Sequence, residues 1–136
     1  MLLQLSSKQI TEQWDVLREA LPTEVNPRHI LQEALLMNSS IWLDVRDGER
    51  VAFVVTRLEE DRQSGERFLY VALLVSLGKG LSESILTEGL STLYKYAIGK
   101  GCKGLTFHTD NKALLGMAKR LGGTIESFVT IPLGGV

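Results

Sequence analysis

Apolar residues follow a helical rhythm through the first third of this chain. Ile10, Trp14, Leu17 and Leu21 recur every three or four positions, and so do Ile30, Leu31, Ala34 and Leu35; that spacing places each set on one side of a helix. Ser6-Ser7-Lys8-Gln9 ahead of the first set has the S-x-x-Q form of a capping box, and Pro22 stops the pattern, which predicts a helix over about 7–21. Asn26-Pro27 pairs a favoured N-cap with a proline at the first helical position, predicting a second helix that runs to about Met37. Met1 to Leu5 reads as a short strand. After Asn38-Ser39-Ser40, the runs I-W-L-D-V and R-V-A-F-V-V-T flank R-D-G-E, and Asp-Gly between β-rich runs signals an antiparallel hairpin.

The rhythm then changes. Arg57 to Arg67 is polar and contains Ser64-Gly65, as in an exposed connection or a flared hairpin end. Its Glu59-Glu60-Asp61 cluster suits a solvated loop or, alternatively, a cationic substrate. Phe68 to Val75 is apolar at every position, the pattern of a central strand covered by helices on both faces. From Ser82 to Ile98, Leu86, Leu90, Leu93 and Ala97 form a helical seam with Ile85 and Tyr94 beside it, and Gly99 and Gly101 end the helix. On this reading Tyr94 packs and Tyr96 lies on the surface. Leu105 and Phe107 belong to the next strand. Leu114, Met117 and Leu121 mark the core face of a last helix closed by Gly122-Gly123, and Thr124 to Ile131 alternates as a final strand with Ile125, Ser127, Val129 and Ile131 on one face. The expectation is a single α/β (α+β) domain over residues 1–136 with a mixed sheet, in the order β-α-α-β-β-β-α-β-α-β.

Composition narrows the function classes. Apolar residues make up 44% and charged residues 23%, and 15 Lys and Arg against 16 Asp and Glu leave a net charge of -1, as in ordinary soluble globular proteins. Without a basic cluster, nucleic acid is not expected as a partner, because phosphate binding needs a basic face. Met1 to Leu5 is too short for a signal peptide and no apolar run approaches the roughly 18 residues of a membrane span. The expectation is therefore a cytoplasmic protein with no membrane partner. The single Cys102 excludes an intramolecular disulfide and a multi-cysteine metal site; it reads as a buried structural thiol, and no metal is expected. His29, in the first turn of the second predicted helix, reads as solvated or capping.

The segment Gly78 to Ser82 carries the candidate chemistry. Small residues let backbone approach a ligand, and free N–H groups at a helix N-terminus turn the positive end of the dipole towards an anion such as a pyrophosphate. Lys79 could add a charge outside that cradle. A plain strand-to-helix turn needs the same glycines.

The constellation resembles the GNAT superfamily of acyl-CoA-dependent N-acyltransferases, most specifically over Phe68 to Gly123. Gly78-Lys79-Gly80 matches the two glycines of the loop Q/R-x-x-G-x-G/A, Gly101 the helix stop, Asn111 the asparagine after the following strand, and Arg120-Leu121-Gly122 the closing pattern. The closing pattern and the small size are also similar to GNAT-like proteins encoded by bacteriophages. There are departures. Val75 stands where the family has Gln or Arg; with the register anchored instead at Ala97 and Gly101, the loop falls on Ser82-Glu83-Ser84. Ala118 occupies the position of the tyrosine that protonates the leaving thiolate in many members, and Gly123 replaces the usual aromatic. The last strand of the common fold is expected to be absent or supplied by a second copy, as in a homodimer.

The resemblance implies acetyl-CoA as co-substrate, held by Leu74, Val75, Gly78, Lys79, Gly80, Leu81, Ser82 and Asn111, with a backbone N–H near Leu74 or Val75 facing the developing oxyanion. An amine would attack the thioester directly. His108, at the C-terminal end of a strand and titrating near neutrality, is the candidate proton acceptor; a structural histidine hydrogen-bonded to the loop is the alternative. Ser76 could orient a water or donate a hydrogen bond, or simply cap the strand end, and Tyr70 is a remote alternative base. Two functions follow: an N-acetyltransferase acting on a small-molecule amine or a protein amino group, or a GNAT-fold binding or assembly module without catalysis.

Overall fold

The computed structural model describes residues 1–78, 80–109, 112–124 and 130–134. Lys79, Asn111 and the core of the predicted final strand, residues 125–129, lie outside the described residues. Within them the order is β1 (Leu2–Gln4), α1 (Ser7–Ala20), α2 (Pro27–Leu35), β2 (Ser40–Arg46), β3 (Glu49–Glu60), β4 (Arg67–Ser76), α3 (Glu83–Gly99), β5 (Gly104–Phe107) and α4 (Lys112–Arg120). The described strands form one mixed sheet in the order β1-β2-β3-β4-β5, antiparallel except for the parallel pair β4–β5. Among them β3, not β4, is the middle strand.

Local chemistry sets the boundaries. The Ser6 hydroxyl accepts from Gln9 N and the Gln9 side chain accepts from Ser6 N, closing both halves of the capping box. The Asn26 side chain accepts from the backbone N–H groups of Arg28 and His29, so the exposed His29 stands beside a cap that Asn26 supplies. The second helix stops at Leu35, short of Met37, because Met37 turns left-handed (φ 64°) while Asn38 N bonds Glu33 O, a closure usually given to glycine. Asp47 (φ 50°) and Gly48 (φ 76°) make the tight turn between β2 and β3. The polar run is part of the next hairpin: pairing continues from Arg57–Tyr70 out to Glu60–Arg67, and the Asp61 carboxylate accepts from Gln63 N and Ser64 N to make the turn.

Each face of the sheet has its own core. α1 and α2 cover one side, where Ile10, Leu17 and Ala34 meet Ile41, Leu43, Phe53, Val55 and Val75. α3 covers the other, where Leu93 and Ala97 meet Leu2, Trp42, Val54 and Leu69, with Cys102 half-buried beside them. Here Tyr96, not Tyr94, does the packing: Tyr96 follows Leu93 on the side turned towards Trp42 and meets its ring edge-on at 4.9 Å, whereas Tyr94 is exposed. The Trp42 indole N–H donates to Thr56 Oγ1 at 3.0 Å, so both buried polar groups are paired. On α4, Met117 is buried but Leu121 falls beyond the helix end and is exposed.

One irregularity shapes the sheet. Thr56 pairs with Val71 and Val55 with Leu73, so Ala72 is an extra residue in β4, a β-bulge. Before it, Leu69 and Val71 face α3; after it, Leu73, Val75 and Leu77 pack with the α1/α2 core.

Candidate active site

The bulge lies where β5 leaves. Parallel pairing of β4 with β5 runs from Phe68–Gly104 to Val71–Phe107 and ends there, while β4 continues to Ser76. The described strands therefore part immediately before Ala72. Leu77 N bonds Val51 O at 2.9 Å. Because backbone groups in an antiparallel pair face the partner at alternate residues, Val75 and Leu73 share that direction towards β3, and Leu74 turns its N–H towards the gap. Val75 is also buried on the α1/α2 side, 7% exposed, whereas Leu74 is 37% exposed. Of the two residues considered for the oxyanion contact, Leu74 has the suitable orientation.

The loop across the end of β4 leads into α3. Gly78 has φ 105°, a conformation L side chains rarely adopt, and a side chain at Gly78 or Gly80 would meet no protein atom within 4 Å. Ser82 is the N-cap, its hydroxyl accepting from Ile85 N at 3.3 Å. That leaves the N–H groups of Glu83 and Ser84 at the tip of the helix. The loop thus offers room and donors for an anionic group, with Leu81 half-buried beside them. One feature opposes an anion: Glu83 stands in the first turn, partly offset by Arg120 of α4, whose Nη2 lies 2.9 Å from the Glu83 carboxylate. The family-like closing arginine thereby links the C-terminus of α4 to the entrance of α3.

His108 follows Phe107 directly after the strand end, and its Nδ1 lies 3.2 Å from Tyr70 Oη. The rings meet edge-on, with centroids 5.4 Å apart. Arg57 from β3 lies over the other side of this small cluster, its guanidinium carbon 4.9 Å from the Tyr70 ring centroid, and is ion-paired with Glu59 at 3.0 Å. Tyr70, the remote candidate, is thus the direct partner of the principal one. Nothing local in the sequence announces a contact between residues 38 positions apart. Ser76 is not part of this cluster: its β3 partner, Ala52, lies four residues from Thr56, the partner of Val71, so Ser76 is about 13 Å further along the strand.

Two departures acquire physical form. Ala118 lies on α4, half-buried, and has no proton to give. Gly123 cannot carry an aromatic ring where it stands, since a Cβ there would lie 2.9 Å from the Ala118 carbonyl oxygen. Among the described residues, no three His, Cys, Asp or Glu side chains group so as to hold a metal ion, and no helix is long and apolar enough to cross a membrane.

No family model matches the sequence, and no curated protein matches it. Solved structures do match the fold over nearly the whole length. An aminoglycoside acetyltransferase, HMB0005, from an uncultured soil metagenomic sample aligns with a TM-score of 0.72 at 16% identity, covering 98% of both chains. Ribosomal-protein-alanine N-acetyltransferase from Brucella melitensis biovar Abortus 2308 aligns at 0.69 and 14% identity, again over 98% of both. Aminoglycoside N-acetyltransferase AAC(6')-Iy in complex with CoA aligns at 0.68 and 12% identity, over 100% of this chain and 95% of the other. At these identities the likeness resides in the fold.

Proposed function

We propose, from the GNAT fold that this chain has, that it is an acetyl-CoA-dependent N-acetyltransferase. The observation that carries the reading is the end of β4–β5 pairing at Val71–Phe107, with β4 running on to Ser76 and turning the Leu74 N–H into the opening. Gly78, Gly80, Leu81, Ser82 and the first turn of α3 would hold the pyrophosphate of coenzyme A; Lys79 and Asn111, which the resemblance also implies, lie outside the described residues. The thioester supplies an activated acetyl group, which passes from sulfur to an amine nitrogen as the C–N bond forms and the C–S bond breaks. The Leu74 N–H faces the developing oxyanion. His108 accepts the amine proton, a role that needs a side chain titrating near neutrality within reach of the nitrogen. Ser76 lies too far along β4 to act with His108 and is assigned to the coenzyme side of the opening. The acceptor is a small-molecule amine or a protein amino group, the two classes named for the structural neighbours.

The half-buried Ala118 supports a second reading, a GNAT-fold binding module without turnover. Thermal denaturation with and without coenzyme A separates the two: ligand at 100 times its dissociation constant adds about 2.7 kcal/mol to the folded state. Stabilisation followed by acetyl transfer to a panel containing aminoglycosides and alanyl peptides is the expected result, with His108→Ala slowed about 100-fold. No stabilisation at millimolar coenzyme A would end the transferase reading, and equal rates for His108→Ala would remove His108 from it.

A further inference from the structure

We propose that Tyr70 is a positioning residue for His108, fixing the imidazole tautomer whose Nε2 is the proton acceptor. The inference rests on the transferase reading above and adds a residue to it. Tyr70 Oη lies 3.2 Å from His108 Nδ1. A neutral imidazole carries one N–H, so with Nδ1–H donating to the phenol oxygen the basic lone pair is on Nε2. The phenol is itself held: its ring lies against the Arg57 guanidinium at 4.9 Å, and Arg57 is fixed by Glu59 at 3.0 Å. Turning Tyr70 away would break this stack as well as the bond to His108.

The pair also accommodates the charge that the reaction creates. As the bond to the acetyl carbon forms, the amine proton moves to Nε2, and from the imidazolium it passes to the departing sulfur. Tyr70 keeps its own proton throughout. Nδ1–H of the imidazolium continues to donate to the phenol oxygen, and a hydrogen bond from a charged donor is the stronger one. The titratable groups that the described residues bring to the pair are Tyr70 on β4 and, on β3, Arg57 with Glu59. Arg57 and Glu59 pair with one another at 3.0 Å.

Nitrogen NMR of the histidine rings in the full chain tests this without relying on activity. His29, the other histidine, is assigned with His29→Gln. The wild-type His108 ring is expected to carry its proton on Nδ1. Tyr70→Phe keeps the ring and its stack but removes the oxygen; it is expected to shift the proton towards Nε2. In the transfer assay the same variant should lose about tenfold in kcat with KM for acetyl-CoA unchanged. A wild-type His108 ring protonated on Nε2, or a Tyr70→Phe protein whose His108 keeps its proton on Nδ1, overturns the positioning role whether or not acetyl transfer is seen. The wild-type measurement stands even if the variant does not fold. The expected tautomer in a protein that acetylates no member of the amine panel overturns the transferase reading, and the catalytic use of the pair with it.

Discussion

Asp44 shows what a single side chain contributes here. It is 2% exposed, on β2, and its carboxylate accepts from the Arg46 side chain and the Met1 amino group, each at 3.0 Å. Arg46 reaches on to Glu88 of α3, so the carboxylate lies at the start of a chain of charges linking the sheet to the helix above it. Burial alone would raise the Asp44 carboxyl, but the Arg46 hydrogen bond and the amino group outweigh it and hold the pKa below the usual carboxylate value. A group lowered on folding contributes its full stability above its unfolded value, near pH 4, and loses it as the pH falls through the folded value. Asp44→Asn should therefore be less stable than wild type by about 2 kcal/mol at pH 7, the scale of hydrogen bonds to a charged group. Urea midpoints for the two proteins should converge below about pH 4. A gap that stays constant down to pH 3 would show that the carboxylate charge is not what stabilises the fold.

At the scale of the element, α3 carries a conflict. Its N-terminus offers the backbone donors of Glu83 and Ser84 to an anion, and the Glu83 carboxylate occupies the same favourable end of the dipole. Glu83→Gln removes that competition while keeping the Ser82 cap. Coenzyme A should then bind about two- to fivefold more tightly, as calorimetry would record; weaker binding would indicate that the Glu83–Arg120 link shapes the loop. The elements themselves were legible in the sequence wherever a short-range rule applied: the Ser6/Gln9 box, Asn26-Pro27 and Asp47-Gly48 each announce a boundary that their own neighbours determine. Met37 ends the second helix by a left-handed turn that glycine would have announced, and Tyr94 and Tyr96 exchange the roles expected of them because a tertiary partner, Trp42, decides which ring packs. The Tyr70–His108 contact was hidden for the same reason, since it joins residues far apart in sequence across two strands.

At the scale of the molecule, two helical layers bury opposite faces of a sheet whose strands separate at one place. The place where β4 and β5 stop pairing adjoins a residue that the sequence does not single out. In an uninterrupted apolar run, no polar position records where the side-chain alternation changes phase. That residue is Ala72, and its removal has a paradoxical result. Without it, Val71 still faces α3, Leu73 and Val75 still face α1 and α2, and every pairing with β3 survives, now as a regular ladder. A chain lacking Ala72 should therefore melt within a few degrees of wild type and yet gain no stability from coenzyme A. The hitch in the strand would be gone, and a straightened β4 could keep β5 alongside it, closing the doorway from within. A single alanine at the margin of the α1/α2 core would then be what separates a sealed wall from an open one.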